Sequence, residues 1–364
     1  MVGQRILQAR RARGFSQREL AARAGDISAQ AISLYENGED MPSSPVLIRL
    51  ASALDVGTDY FFRTVSVDLG QPAYRKHCSL PQREMKAVEC RVVDAVERYL
   101  EVEALLGLDV DDHFELPPSF NEPVRGLEHA ERSADELRTF WRIGADALNN
   151  LTELLEDHGT KVVFVKADNR FDGCAYHKGS VPVIAVNREM PGDRMRLDLA
   201  HELGHLVLSF PEGTPGKEQE STAFRFAAAF LVPADTARRE LGMKRSNLSV
   251  FELLSLKHKY GISMQAWVRR ARDLDIISEA AYGKLCREFA IRGWRIREPG
   301  EPLRREESDR QLRLVVRAYS SGLISESRGA KLLGMLVHQF SDLLDERMVD
   351  MSSAEWLDAV DMVA

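Results

Sequence analysis

Apolar positions recur at intervals of three and four residues over most of this chain and alternate in only one short region, so helices dominate the expected structure. In the first 63 residues Ile6, Leu7 and Ala9 share one apolar face. Ser16 can then cap a helix carrying Leu20, Ala21 and Ala24, which Gly25 stops. Ser28 opens the next helix, with Ile32 and Tyr35 inward, and Asn37-Gly38 closes it with left-handed turn chemistry. After Pro42 and Pro45, Leu47, Leu50, Ala51 and Leu54 mark another, so four or five compact helices are expected. The period is lost over residues 64–79, which read as a connector. A long helix follows over residues 81–106, where Met85, Val88, Val92, Ala95, Tyr99, Val102 and Leu106 form a heptad seam. That seam fits either packing within its own chain or a dimer-forming coiled coil. Residues 108–125 are acidic and contain Pro117, Pro118 and Pro123, as a second linker would.

Helical periodicity resumes around residues 133–144 and 146–157. Two β-rich runs, 161–165 and 181–186, stand apart, with the turn-rich Asp172-Gly173 and Lys178-Gly179-Ser180 between them. From residue 194 the chain returns to helix, and residues 308–349 form a last helical segment punctuated by Ser325 and Gly334. The fold class expected is mainly α with one small α+β domain. Its divisions are a helical bundle (1–63), a linker with the long helix (64–132), a domain with the small sheet (133–245) and a C-terminal helical extension (246–364).

Composition narrows the class. A length of 364 residues implies two or three domains, and 44% hydrophobic with 29% charged residues describes a folded chain. No apolar run reaches membrane-spanning length and the N-terminus lacks a secretory pattern, so no membrane association is expected. Cys78, Cys90, Cys174 and Cys286 are scattered, as reduced thiols in a cytoplasmic protein are. The net charge of −7 divides unevenly: the first 63 residues hold about +1 and the remainder −8. A globally basic nucleic-acid coat is excluded; one local DNA-binding module is not.

The candidate chemistry sits at His201-Glu202-Leu203-Gly204-His205. On a helix, residues four apart share a face, so His201 and His205 can present two imidazoles to one metal ion with Glu202 beside it. A catalytic zinc takes three protein ligands and keeps a fourth position for water. Downstream, Glu218 and Glu220 are candidate carboxylates at the start of an apolar helix. Glu220 is preferred because Ala223, three residues on, is small enough for a second helix to pack close to the first. Zinc would acidify water and polarise a carbonyl, with Glu202 moving the proton. Tyr176 and His177, in the turn-rich region, are candidate transition-state donors. The run Val183–Val186 is read as an edge strand to which a peptide could add itself.

These residues resemble the ImmA/IrrE family of metallopeptidases. The resemblance runs over about residues 137–233, through Trp141 and Gly144, Arg196 to His205, and Glu220, Ala223, Phe226, Ala227, Phe230, Leu231 and Pro233. It implies that His201, His205 and Glu220 are zinc ligands and Glu202 the general base. Phe224 stands where that family usually has Asn, and Ser209 where it often has His.

Residues 6–62 resemble the XRE (Cro/repressor-like) helix-turn-helix family, through Arg10, Gly14, Ser16-Gln17, Glu19-Leu20-Ala21, Ala24-Gly25, Ser28, Ile32, Tyr35-Glu36-Asn37-Gly38, Pro42, Leu50-Ala51 and Leu54. By that family's geometry the helix from Ser28 lies in the major groove, Gln30 and Ser33 read bases, and Gln17 and Asn37 hold phosphates. Residues 248–299 also look like the helical extension of longer regulators that combine these two domains.

The expected function is a cytoplasmic, dimeric transcriptional regulator that binds operator DNA. Its zinc metallo-endopeptidase domain would cleave a regulatory protein, either a separate helix-turn-helix repressor or its own connectors. The rival reading is a regulator whose metal domain is a non-catalytic ligand sensor or structural module. A third is an antitoxin-like binding protein.

Overall fold

The computed structural model describes residues 1–63, 67, 69–70, 80–108, 114–178 and 181–352. The expected connector at 64–79 therefore lies outside the described residues apart from 67, 69 and 70. Mainly helical architecture with one small sheet is what the chain adopts.

The N-terminal unit is α1 (Val2–Ala12), α2 (Gln17–Ala24), α3 (Ala29–Asn37) and α4 (Ser44–Leu54), followed by a 3-10 turn at Thr58–Phe62. The local signals act as expected. Ser16 and Glu19 form a capping box at α2, the Ser28 hydroxyl caps α3 by accepting from Ala31 N, and Gly38 ends α3 at φ 75°. Ile6, Leu20, Ile32, Leu50, Leu54 and Phe61 close a separate small core. Gly3 is required where α1 crosses the end of α3, because a Cβ there would run into the carbonyl oxygen of Tyr35.

The long helix is α5 (Gln82–Leu105). Its apolar seam is covered within the chain: Val88, Val92 and Val96 pack on the sheet, while Tyr99 and Val102 pack on the C-terminal helices. The seam thus packs within its own chain, the first of the two arrangements that its pattern fits. The N-terminal bundle docks on α5 as well, through α1. Arg5 meets Glu97 at 2.5 Å with both side chains buried, Arg63 meets Asp94 at 3.1 Å, and Arg83 donates to the Gly14 carbonyl at 2.6 Å.

The described part of the expected second linker is packed down. Phe114, Leu116 and Phe120 lie against the main core, and Val124 N donates to Ser209 O at 2.8 Å. These apolar residues, interspersed among the prolines and acids, give the segment something to bury. Then come α6 (Gly126–Phe140), which starts earlier than its periodicity indicated, and α7 (Leu151–Asp157). The sheet has three strands rather than two: β1 (Lys161–Val165), β2 (Gly173–Lys178) and β3 (Val181–Asn187), ordered β1-β3-β2. β1 runs parallel to β3, and β2 pairs with it antiparallel, placing Ala175 opposite Ile184. Val183–Val186 thus belongs to the central strand, with both edges hydrogen-bonded, and the outer strands are β1 and β2.

Two long helices, α8 (Gly192–Val207) and α9 (Gly216–Leu231), cover one face of the sheet; α5 covers the other. After α10 (Ala234–Leu241) come α11 (Val250–Tyr260), α12 (Met264–Asp273) and α13 (Glu279–Ile291), whose Leu253, Trp267 and Phe289 join the same core as α8 and α9. The core therefore continues across residue 245. Residues 298–309 strap this region to the start of α8. Glu306 pairs with Arg196, Arg305 donates to Met190 O, and a Cβ at Gly192 would strike the backbone of Leu303 and Arg304. Last are α14 (Arg310–Ser320), α15 (Glu326–Leu333) and α16 (Val337–Ser352). Among the described residues no helix is long and apolar enough to cross a membrane.

Candidate metal centre

The period of α8 decides what its inner face carries. Asp198, His201, Glu202 and His205 recur at three and four residues, so they line up along one side, while Leu199, Leu203 and Leu206 enter the core. Gly204 lets α9 approach: a Cβ there would lie 3.4 Å from Ala223 Cα and 3.2 Å from Phe226 Cδ1. That close packing of α8 on α9 brings Glu220 to the two histidines.

His201 Nε2 and His205 Nε2 lie 3.1 Å apart. Glu220 offers Oε1 to His205 Nε2 at 3.1 Å and Oε2 to His201 Nε2 at 3.3 Å. Ligands about 2.0–2.2 Å from a tetrahedral zinc stand roughly 3.3–3.5 Å from one another, so the three donors are spaced to share one ion. Among the described residues this is the one group of three His, Cys, Asp or Glu side chains whose ligand atoms converge. Burial pushes the Glu220 carboxyl up, but hydrogen bonds from His201 and His205 and their charges outweigh it and hold it at about 2. A carboxylate so readily ionised suits a cation.

Glu202 lies behind this group. Burial drives its carboxyl well above the ordinary range, the charges of Asp198, Glu220 and Asp172 push the same way, and the backbone N–H of Ala175 opposes them. A bound divalent ion would add a strong opposing pull. Gly173 in β2 makes room: a Cβ there would sit 3.1 Å from Glu202 Cγ and 3.0 Å from Ala185 O. The cleft, of about 140 Å³, is lined by Met85 of α5, Asp172, Gly173, Cys174, Asp198, Phe224 and the four residues already placed. The Phe224 ring lies against His201, centroids 4.0 Å apart.

Other expected residues are placed differently. Tyr176 does not stand in a turn. It lies in β2 and is buried with Val88, Val92 and Val96 under α5, where burial raises its phenol, and it does not line the cleft. The His177 side chain lies outside the described residues. In the N-terminal bundle Gln30 is exposed on α3 and Ser33 is half-buried. The Ser28 hydroxyl is engaged in its cap, and Asn37 Nδ2 donates to Glu39 at 3.0 Å. Gln17, half-buried at the start of α2, donates Nε2 to Glu36 Oε2 at 2.9 Å beside the Arg10–Glu36 pair.

Asp198, Asp172 and Met85 also line the cleft, beyond the residues that the motif marks. Asp198 was within reach of the argument used for the histidines, being one turn earlier on the same face. Asp172 and Met85 come to the cleft through the β2 pairing and the docking of α5, which local pattern does not encode.

Comparison with known proteins agrees with both halves. Residues 6–61 match the family model described as helix-turn-helix, and residues 155–272 match that of a peptidase family, described as IrrE N-terminal-like domain. The chain is similar to an uncharacterized transcriptional regulator in the ATPase CF(0) region of Rhodospirillum rubrum, 41% identical over 73 residues. That match covers 20% of this chain and about 65% of the relative's length. The chain thus joins a helix-turn-helix domain to a peptidase-family domain.

Proposed function

We propose that this chain is a DNA-binding transcriptional regulator whose second domain is a zinc-dependent endopeptidase acting on a regulatory protein in the cytoplasm. The observation that carries the reading is the convergence of His201 Nε2, His205 Nε2 and both Glu220 oxygens within 3.1–3.3 Å, with Glu202 beside them. Zinc in such a set supplies Lewis acidity toward a carbonyl and acidifies water. Glu202 would take the proton of the attacking water and hand it to the leaving amine, its carboxyl held in place by Ala175 N–H. The free edge of β2, beside Glu202, offers backbone to an extended peptide. The substrate is a separate helix-turn-helix repressor, or this chain at residues 64–79.

For the N-terminal domain the reading is operator binding with α3 in the major groove, Gln30 and Ser33 reading bases. A surplus of about +1 over these 63 residues gives little non-specific attraction, which favours two copies on one site. Such a dimer would use a surface other than the α5 seam.

The deciding experiment incubates the zinc-loaded full chain with candidate repressors and follows cleavage. Cleavage by wild type and none by Glu202→Gln is expected; identical patterns from the two would overturn the peptidase reading. In a mobility shift, Gln30→Ala should weaken operator binding by about 1–3 kcal/mol. One observation favours the rival, a non-catalytic sensor: Phe224 covers one side of His201 and narrows the cleft. That reading expects regulation intact in Glu202→Gln and lost in His201→Ala.

A further inference from the structure

The cleft contains a carboxyl that neither metal binding nor proton transfer uses. Asp198 precedes His201 by one turn of α8, about 4.5 Å along the helix axis. It is only 8% exposed, yet it lines the cleft. Its Oδ2 is buried without a hydrogen-bond partner. Among the described residues the cation beside it is Arg194, whose Nε stands 3.9 Å from that oxygen, beyond hydrogen-bond reach. Arg194 is half exposed and commits its Nη2 to Asp172 Oδ1 at 2.6 Å. Among the described residues the cleft lining carries four carboxyl groups, on Asp172, Asp198, Glu202 and Glu220, and no lysine or arginine. Leaving a buried carboxyl without a donor is costly, and a donor brought by a ligand removes that cost.

We propose that Asp198, with Asp172 beside it, forms a subsite of the metal cleft that takes the cationic side chain of a lysine or arginine flanking the cleaved peptide bond. The inference rests on the peptidase reading for its substrate, but not for its chemistry. A second metal ion is the poorer occupant, because among the described residues no other three donor side chains converge. A guanidinium or ammonium needs no such closed set. One or two carboxylate oxygens suffice, and charge-assisted hydrogen bonds are the strong ones. A peptide extended along the outer edge of β2 would have Asp172 and Asp198 at its flank where they line the cleft. One turn of helix between Asp198 and the metal-binding histidines is a span that a long basic side chain covers when its backbone lies at the reacting position.

Two measurements on the full chain test this. In the first, calorimetry compares L-arginine amide with L-citrulline amide binding to the metal-free protein. Arginine amide should bind at least about tenfold more tightly, and Asp198→Asn should abolish the difference while its melting curve shows a folded protein. In the second, the zinc-loaded protein digests a proteome-derived peptide library. Lysine or arginine should be enriched at one position beside the cut, and Asp198→Asn should lower the basic-to-neutral ratio about tenfold. Equal binding of the two amides, or discrimination unchanged in Asp198→Asn, overturns the subsite. Discrimination that is lost in Asp198→Asn with no library cleavage keeps the subsite and defeats the peptidase reading. Cleavage with no basic preference does the reverse.

Discussion

Arg5 Nη1 in α1 donates to Glu97 Oε2 in α5 at 2.5 Å, joining the N-terminal bundle to the long helix between two nearly fully buried side chains. Burial pushes the Glu97 carboxyl up even with Arg5 beside it. Removing one partner leaves a buried charge uncompensated, so Arg5→Met should cost about 3–5 kcal/mol in urea unfolding. The double variant Arg5→Met with Glu97→Leu should recover much of that loss. A double variant as unstable as the single one would mean that the pair does not join the units as described.

Gly173 sets the position of Glu202. A methyl group at residue 173 would press on Glu202 Cγ at 3.1 Å and on the Ala185 carbonyl at 3.0 Å. Gly173→Ala should therefore lower the rate of any Glu202-dependent cleavage by about tenfold to a hundredfold with zinc content unchanged. Metal analysis alongside the cleavage rate checks both halves.

The approach of α9 to α8 fixes Glu220, the proposed third ligand. Gly204→Val would wedge against Ala223 and Phe226, forcing the helices apart and moving Glu220 from His201 and His205. Competition against a zinc-binding chromophore should show affinity reduced at least about tenfold. Unchanged affinity would remove Glu220 from the ligand set.

Glu156 gives the stability a pH dependence. Burial raises its carboxyl from 4.5 to about 7, against the hydrogen bonds of Ser308 and Tyr99 and the charges of Arg310 and Lys161. Between those two values the folded chain keeps a proton that the unfolded chain has released. The contribution is therefore complete below 4.5 and is lost as pH rises through 7. Urea midpoints of the metal-free protein at pH 5, 6, 7 and 8 should fall more steeply for wild type than for Glu156→Gln. Parallel slopes would contradict this assignment.

What the sequence revealed follows the range of the interactions. The His201–His205 pair, the caps at Ser16 and Ser28, and the small Ala223 beneath Glu220 are settled within one or two helical turns, and spacing alone exposes them. β2 was hidden because Gly173-Cys174-Ala175-Tyr176 lacks the β-branched residues that mark strands. Its place at the free edge depends on pairing with β3, a non-local choice, and that choice also moved Val183–Val186 to the centre. The seam of α5 was visible as a pattern. Its partners, the sheet below and the C-terminal helices beyond, were not, because periodicity says that a face is buried and not against what.

The docking of α1 on α5 bears on how the two halves could ever part. A cut within residues 64–79 would sever the chain without severing Arg5 from Glu97 or Arg83 from the Gly14 carbonyl. The nicked bundle would stay seated as a non-covalent fragment, and its departure would obey mass action: slow or negligible while concentrated, progressive on dilution. Separation would then lag behind hydrolysis by an interval that the interface sets and the scissile bond does not.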